Sequence, residues 1–193
     1  MRKKIVGLDL DNTLIDYSNA VSVYANKYLK RNLKSIFEIR KTLKTRDIDS
    51  EWQKAQSWIY TEGLNYAVLS EGAIELLHDL KQTGTPLYVI SHKTRRTPRN
   101  FGNLDLRKPA EEWIKLNLEP LDINISGVFF ESTRTEKIER IKRLNITHFV
   151  DDLIEVLTDE NFPKSVEKYL YNPSSQNMDV DPNIKVIHRL NQI

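Results

Sequence analysis

Short apolar runs recur along this chain, each stopping abruptly at a polar residue, and between them lie stretches with a helical apolar period. Ile5-Val-Gly-Leu8, Leu87-Tyr-Val-Ile90, Gly127-Val-Phe-Phe130 and His148-Phe-Val150 are the clearest, and two weaker runs follow near 166–171 and 184–188. Continuous runs with β-branched residues predict strands covered on both faces, as in a parallel sheet. Pro86 is placed at the first position of its strand, where a missing N–H matters least. The intervening segments read as helices. Ser70 caps a stripe of Ile74, Leu77 and Leu80 that Gly84 closes in the left-handed conformation. A helix at 109–117 follows. Thr133-Arg-Thr-Glu136 is a capping box opening a helix with Ile138, Ile141 and Leu144 inside and Asn145 at its end. Leu153, Val156 and Leu157 mark a short last helix. Strands alternating with helices predict an α/β fold, a three-layer sandwich around a mainly parallel central sheet.

One segment breaks this alternation. From 16 to 69 the residues are helix formers, with Tyr24, Tyr28, Leu33, Phe37, Leu43, Trp52, Trp58 and Tyr66 as apolar markers and no strand pattern. We read it as a small all-helical insertion, leaving 1–15 and 70–193 as the core. Its clearest break is at 46–50, with Asp49 or Ser50 as the next helix N-cap. Trp52, Ala55, Trp58 and Ile59 recur at helical spacing, which is the signal of burial rather than of a platform for stacking bases.

Composition narrows the class. The 193 residues suffice for one well-buried core, and 39% hydrophobic with 29% charged residues describe a soluble globular protein. A net charge of +2 does not by itself imply nucleic acid. The chain has no cysteine, which removes disulfides and thiolate metal sites and suits a reducing cytoplasm. The basic start MRKK is followed by an apolar run that Asp9 cuts short, so no export signal is expected, and no run approaches a membrane span.

The chemistry concentrates where strands stop. Asp9 and Asp11 sit at the carboxyl end of the first strand, and side chains two apart on an extended backbone point the same way. Two carboxylates converging on one volume call for a cation or a shared proton. Ser91 ends a second strand, Lys137 lies one connection past a third, and Asp151 and Asp152 end a fourth. These ends share one rim, the rim at which open α/β sheets bind ligands. Clustered carboxylates without Cys suit a hard, oxygen-preferring cation, Mg²⁺ where a phosphate completes its shell. Lys137, in the first turn of its helix, opposes the helix dipole and so asks for an anionic neighbour. The stretch 92–108 is basic, with Lys93, Arg95, Arg96, Arg99, Arg107 and Lys108 against a lone Asp105.

Taken in order, these residues resemble the motifs of haloacid dehalogenase-like (HAD superfamily) phosphohydrolases: Asp9-Leu-Asp11-Asn-Thr13, Ser91 in LYVIS, Lys137, and Asp151-Asp152 in HFVDD. The resemblance covers the whole chain if 16–69 is the helical cap often inserted after the first strand. It implies Asp9 as nucleophile, forming an aspartyl-phosphate, and Asp11 as general acid and base. It implies Mg²⁺ held by Asp9, the Asp11 backbone carbonyl and Asp151, with Asp152 as a further ligand or outer partner. Thr13, Ser91 and Lys137 would hold the transferring phosphoryl group. An acid at Asp11 argues against relatives that cleave carbon–halogen bonds or drive ion pumps.

Two readings follow. The first is a Mg²⁺-dependent phosphatase of a small phosphomonoester such as a sugar phosphate or nucleotide, with one or more of Arg95, Arg96 and Arg99 contacting substrate charge. The second keeps the fold as a non-catalytic binding domain, or as a phosphatase of nucleic-acid ends, using the basic loop for an anionic partner. Substrate identity and oligomeric state are not encoded in any pattern the sequence offers.

Overall fold

In the computed structural model, which describes residues 3–43, 48–97, 102–175 and 179–193, the six apolar runs pair into one parallel sheet. Its strands are β1 (Val6–Leu8), β4 (Leu87–His92), β5 (Gly127–Glu131), β6 (His148–Asp151), β7 (Glu167–Tyr171) and β8 (Ile184–Ile187), in the order β5-β4-β1-β6-β7-β8. β1 lies between β4 and β6, in register through Val6 opposite Leu87 and His148. The chain leaves β1 toward β4 and β5, then recrosses to β6, so the strand order reverses at β1. At that point neighbouring loops diverge and leave a crevice beyond the carboxyl ends.

Side-chain alternation sorts the sheet into two packed faces. Val6, Leu8, Leu87, Val89 and Val150 join one buried cluster with α4 (Ala73–Gln82) and α5 (Arg107–Leu118), through Leu76, Leu77, Leu80, Ala110, Trp113 and Leu118. Ile90, Phe149 and Leu170 face the other way, against Ile138 and Ile141 of α6 (Arg134–Arg143) and Val156 and Leu157 of α7 (Ile154–Leu157). Gly7 is the small residue this second face requires: a Cβ there would meet the Phe149 ring at 2.7 Å.

Between β1 and α4 the chain is helical, with α1 (Ser18–Tyr24) running into a π turn, then α2 (Ile36–Leu43), α3 (Ile48–Ile59) and a 3-10 turn at Glu62–Tyr66. Ala55 and Ile59 are buried and Trp52 and Trp58 pack against the same core, as their spacing predicts. The segment's ends carry two short strands the sequence does not signal: β2 (Ile15–Asp16) and β3 (Val68–Leu69) pair antiparallel. They are too short for a period-2 pattern to register.

Local details differ from the sequence reading for identifiable reasons. α3 begins at Ile48, so Asp49 and Ser50 lie inside its first turn rather than at its N-cap, while 44–47 fall outside the described residues. α4 starts after Gly72, whose φ of 80° only glycine adopts readily, so Ser70 is not the cap, and the register buries Leu76 and leaves Ile74 exposed. Pro86 precedes β4 by one residue and accepts from the Val6 N–H. α5 begins two residues before the predicted start because Asp105 Oδ1 accepts the N–H groups of Arg107 and Lys108, giving the lone acid of the basic loop a capping role. The capping box at Thr133 and Glu136 forms as predicted, and Asn145 stops α6 at a φ of 52°.

Candidate active site

The site is built outward from the end of β1. The Asp9 N–H continues the ladder to the Val150 carbonyl, 2.9 Å away, which fixes Asp9 beside the end of β6. The chain then turns sharply. Asn12 takes φ 60°, a conformation Asn tolerates, and the Ile15 N–H returns to the Leu10 carbonyl at 2.9 Å. This tight turn holds Asp11 and Thr13 at the rim instead of letting the strand run on.

Asp9 belongs to a buried group supplied by the core. Lys137, from the first turn of α6, is 1% exposed and its Nζ donates to Asp9 Oδ1 at 2.5 Å and to Asp151 Oδ2 at 2.6 Å. Asp151 Oδ1 accepts the Leu153 N–H. Burial pushes the Asp9 carboxyl up from 3.8 to about 7, with Lys137 pulling against it and Asp151 and Asp11 adding to the rise. Burial likewise drives Asp152 well above the carboxylate range, helped by Asp151 and Asp9. Burial would lower Lys137, but Asp151 and Asp9 outweigh it and hold the ammonium above its ordinary value. Too many carboxylates for one ammonium share this volume, a deficit of positive charge that a cation relieves.

The donor set fits such a cation. Single carboxylate oxygens of Asp9, Asp151 and Asp152 lie within 4.8 Å of one another. An all-oxygen anionic group of this kind suits Mg²⁺ or another hard divalent ion.

Asp11 faces a different set of partners. Its carboxylate is outside that cluster; Lys93 Nζ reaches it at 2.9 Å on Oδ1 and 2.8 Å on Oδ2, and the Tyr17 hydroxyl donates to Oδ1 at 2.7 Å. Tyr17 stands at the entry to α1 and is 1% exposed; its ring meets that of Tyr60, at the end of α3, edge-on at 5.2 Å. Burial and the nearby Asp11 charge push both phenols well above 10, so they remain donors.

Thr13 and Ser91 are buried, and each hydroxyl lacks a hydrogen-bond partner among the described residues. A buried unpaired hydroxyl costs about 1–3 kcal/mol, so two at one rim are what a site for an oxygen-rich ligand leaves behind. Arg95 and Arg96 are exposed and engaged within their own loop, Arg95 with Asp105 at 3.8 Å and Arg96 Nη1 with the Asn103 carbonyl at 2.9 Å. Arg99 lies outside the described residues.

The sequence reading missed Lys93 as an individual, taking it as one cation of a basic loop. Its signal was available: Lys93 stands two residues after Ser91, the same spacing that joined Asp9 to Asp11, and the β4 ladder carries on through the Lys93 N–H to the Glu131 carbonyl. Tyr17 and Tyr60 had no comparable signal, since buried tyrosines in a helical segment read as packing.

No family model matches the chain, and no curated protein does. Solved structures do match in fold. A HAD-superfamily hydrolase of subfamily IA from Geobacter sulfurreducens superposes with a TM-score of 0.55 at 17% identity, over 88% of this chain and 87% of its own. A predicted phosphatase from Clostridium acetobutylicum gives 0.55 at 16%, over 89% and 86%. Protein Tyrosine Kinase A of Mycobacterium tuberculosis gives 0.51 at 16%, over 77% and 73%. The six-stranded α/β fold is therefore that of HAD-superfamily proteins, as the four motifs predict. A scaffold shared by a hydrolase and a kinase does not choose the reaction, which has to be argued from the side chains.

Proposed function

We propose that this protein is a Mg²⁺-dependent phosphatase that hydrolyses a small phosphomonoester through an aspartyl-phosphate on Asp9. The observation that carries the reading is the division of two carboxylates two residues apart. Asp9 lies with Lys137 and the Asp151–Asp152 pair in a group suited to a metal and a phosphate, while Asp11 is held outside it by its own donors. A binding module has no need to separate two adjacent acids in this way; a displacement at phosphorus followed by proton transfer does.

The steps follow from the residues. Asp9, Asp151 and Asp152, with the Asp11 backbone carbonyl, would hold Mg²⁺, and the ion would supply the neutralisation of phosphate charge that a carboxylate needs to approach an anion. Asp9 forms a bond to phosphorus as the bond to the leaving oxygen breaks, and Asp11 gives its proton to that oxygen. Asp11 then takes a proton from a water that attacks phosphorus, freeing Asp9 and inorganic phosphate. Thr13 and Ser91 supply hydroxyl donors and Lys137 an ammonium for the equatorial oxygens, the electrostatic part of phosphoryl transfer. Residues 16–69 serve as a cap over the rim, with 1–15 and 70–193 as the catalytic core. No helix among the described residues is long and apolar enough to cross a membrane.

Phosphate release from a panel of sugar, nucleotide, aryl and nucleic-acid-end phosphates, with Mg²⁺ and with a chelator, tests this reading. Metal-dependent turnover of at least one small monoester is expected. Absence of turnover across the panel, or turnover indifferent to the chelator, contradicts it.

A further inference from the structure

Among the described residues of the basic loop, Lys93 is the cation that is buried rather than a surface charge. Lys93 is 3% exposed, and all of its polar groups are committed. Its N–H donates to the Glu131 carbonyl at 2.9 Å, and its own carbonyl accepts from Arg107 Nε at 3.0 Å. Arg107 in turn reaches Ser132 Oγ with Nη2 at 3.0 Å, so the backbone at Lys93 is pinned between the ends of β4, β5 and α5. The side chain runs under the Tyr60 ring, with Nζ 4.2 Å from its centroid, and ends on both oxygens of Asp11. Tyr17 closes the third side of the same carboxylate. An aromatic face against an ammonium and a phenol against a carboxylate form a seat with little freedom to rotate.

We propose that Lys93 and Tyr17 are positioning residues for Asp11. They fix its carboxylate at the angle from which it meets the leaving oxygen, and Tyr60 completes the Lys93 seat. The acid–base group is then assembled from both parts of the chain: Asp11 and Lys93 come from the core rim, Tyr17 and Tyr60 from the helical segment. Lys93 also supplies a second ammonium to a site of four aspartates in which, among the described residues, the other ion pairs run from Lys137 to Asp9 and Asp151. This inference rests on the phosphatase reading and adds to it a residue outside the four motifs.

Leaving-group dependence distinguishes positioning from mere packing. An alkyl phosphate needs a proton at its leaving oxygen; a nitrophenyl phosphate hardly does. Lys93→Met should lower kcat/KM, which reports the steps up to departure of the leaving group and not the later attack of water, by about 10²-fold for an alkyl phosphate, the lower end of what a positioned acid contributes, and by under about fivefold for nitrophenyl phosphate. Lys93→Arg, keeping the charge, should recover much of the loss. Mg²⁺ affinity measured by calorimetry should stay within about twofold of wild type, since Lys93 touches none of the three clustered carboxylates. Tyr17→Phe deletes a single hydroxyl and should show the same leaving-group split at smaller size, which keeps the test available if Lys93→Met does not fold. Equal losses on both substrates, or a rise in KM with kcat unchanged, would overturn the proposal and make Lys93 a packing or substrate-binding residue. Wild-type protein inactive on both esters would instead overturn the phosphatase reading, so the two failures are distinguishable.

Discussion

Asp9 and Asp11 are one residue pair in the sequence and two environments in the structure. The Asp9 half is made by the core: a strand end, the first turn of α6 and the end of β6 deliver Asp9, Lys137 and Asp151 into a dry cluster. The Asp11 half is made by segments that enter from elsewhere, Lys93 from the loop after β4 and the two tyrosines from the helices between β2 and β3. The first half is short of positive charge, while the second has a cation and a phenol for a single carboxylate. Two identical side chains thus meet separate partners, and it is this difference that the proposed mechanism uses to divide nucleophilic from proton-transfer chemistry between them.

Removing the Asp9 half should have the largest effect. Asp9→Asn keeps shape and deletes the proposed nucleophile and one charge of the proposed metal group, so turnover should fall to background, a loss of at least about 10⁴-fold given how slow uncatalysed monoester hydrolysis is. Circular dichroism should show the fold retained. Lys137→Met should also abolish turnover and, in metal-free protein, destabilise by about 3–5 kcal/mol, because it leaves buried carboxylates without their ammonium. Mg²⁺ should restore part of that stability by binding the folded state alone. A melt showing no destabilisation would mean that Lys137 does not hold the cluster.

Metal affinity should separate the halves next. Asp151→Asn removes a ligand charge and should weaken Mg²⁺ by about tenfold or more, whereas Asp11→Asn leaves its backbone carbonyl and should weaken it far less. Equal losses in a calorimetric titration would put the Asp11 carboxylate in the metal group and erase the distinction.

The pH dependence of stability is a smaller and finer test. Asp9 and Asp152 both have folded pKa values above those of the unfolded chain. Between about pH 4 and 7 the folded state therefore binds more protons than the unfolded one, and stability falls as pH rises across that window. Metal-free protein should melt higher at pH 5 than at pH 7.5, and saturating Mg²⁺ should flatten or reverse the trend. A metal-free melting temperature that rises over this range would contradict the charge deficit assigned to the cluster.

The smallest effect is expected from the exposed part of the basic loop. Arg95→Gln with Arg96→Gln should raise KM for a charged substrate by no more than about threefold and spare an aryl phosphate, the size expected of solvent-exposed charge. The salt dependence of that KM should be shallow. A steep dependence, with log K falling by about 0.7–0.9 per phosphate neutralised, would favour a nucleic-acid substrate.

How legible the two halves were follows from their physics. Strands covered on both faces write themselves as apolar runs, and a carboxylate ending such a run is conspicuous, so Asp9, Asp151 and the sheet were readable from residue types alone. Lys137 was readable because a cation in a first helical turn runs against the dipole. Lys93 was obscured by its neighbours: six basic residues in one stretch average into a solvated face, and only burial singles one out. Leu76, which the sequence reading did not place, is buried beside Leu77 and Leu80 while Ile74 is exposed, and Gly72 rather than Ser70 precedes α4, at a backbone angle that residue type only hints at. β2 and β3, two residues each, are fixed by their pairing with one another and carry no pattern of their own.

The division of labour can be caught in a single experiment. In Asp11→Asn with Mg²⁺ and nitrophenyl phosphate, the good leaving group departs without an acid while the water that should follow lacks its base. Rapid acid quenching and peptide mass spectrometry should then find one phosphoryl group accumulated on Asp9, in a yield exceeding that of wild type, and none in the Asp9→Asn protein. Continued phosphate release by Asp11→Asn with no phosphorylated peptide, or a phosphoryl group on any other residue, would contradict the account.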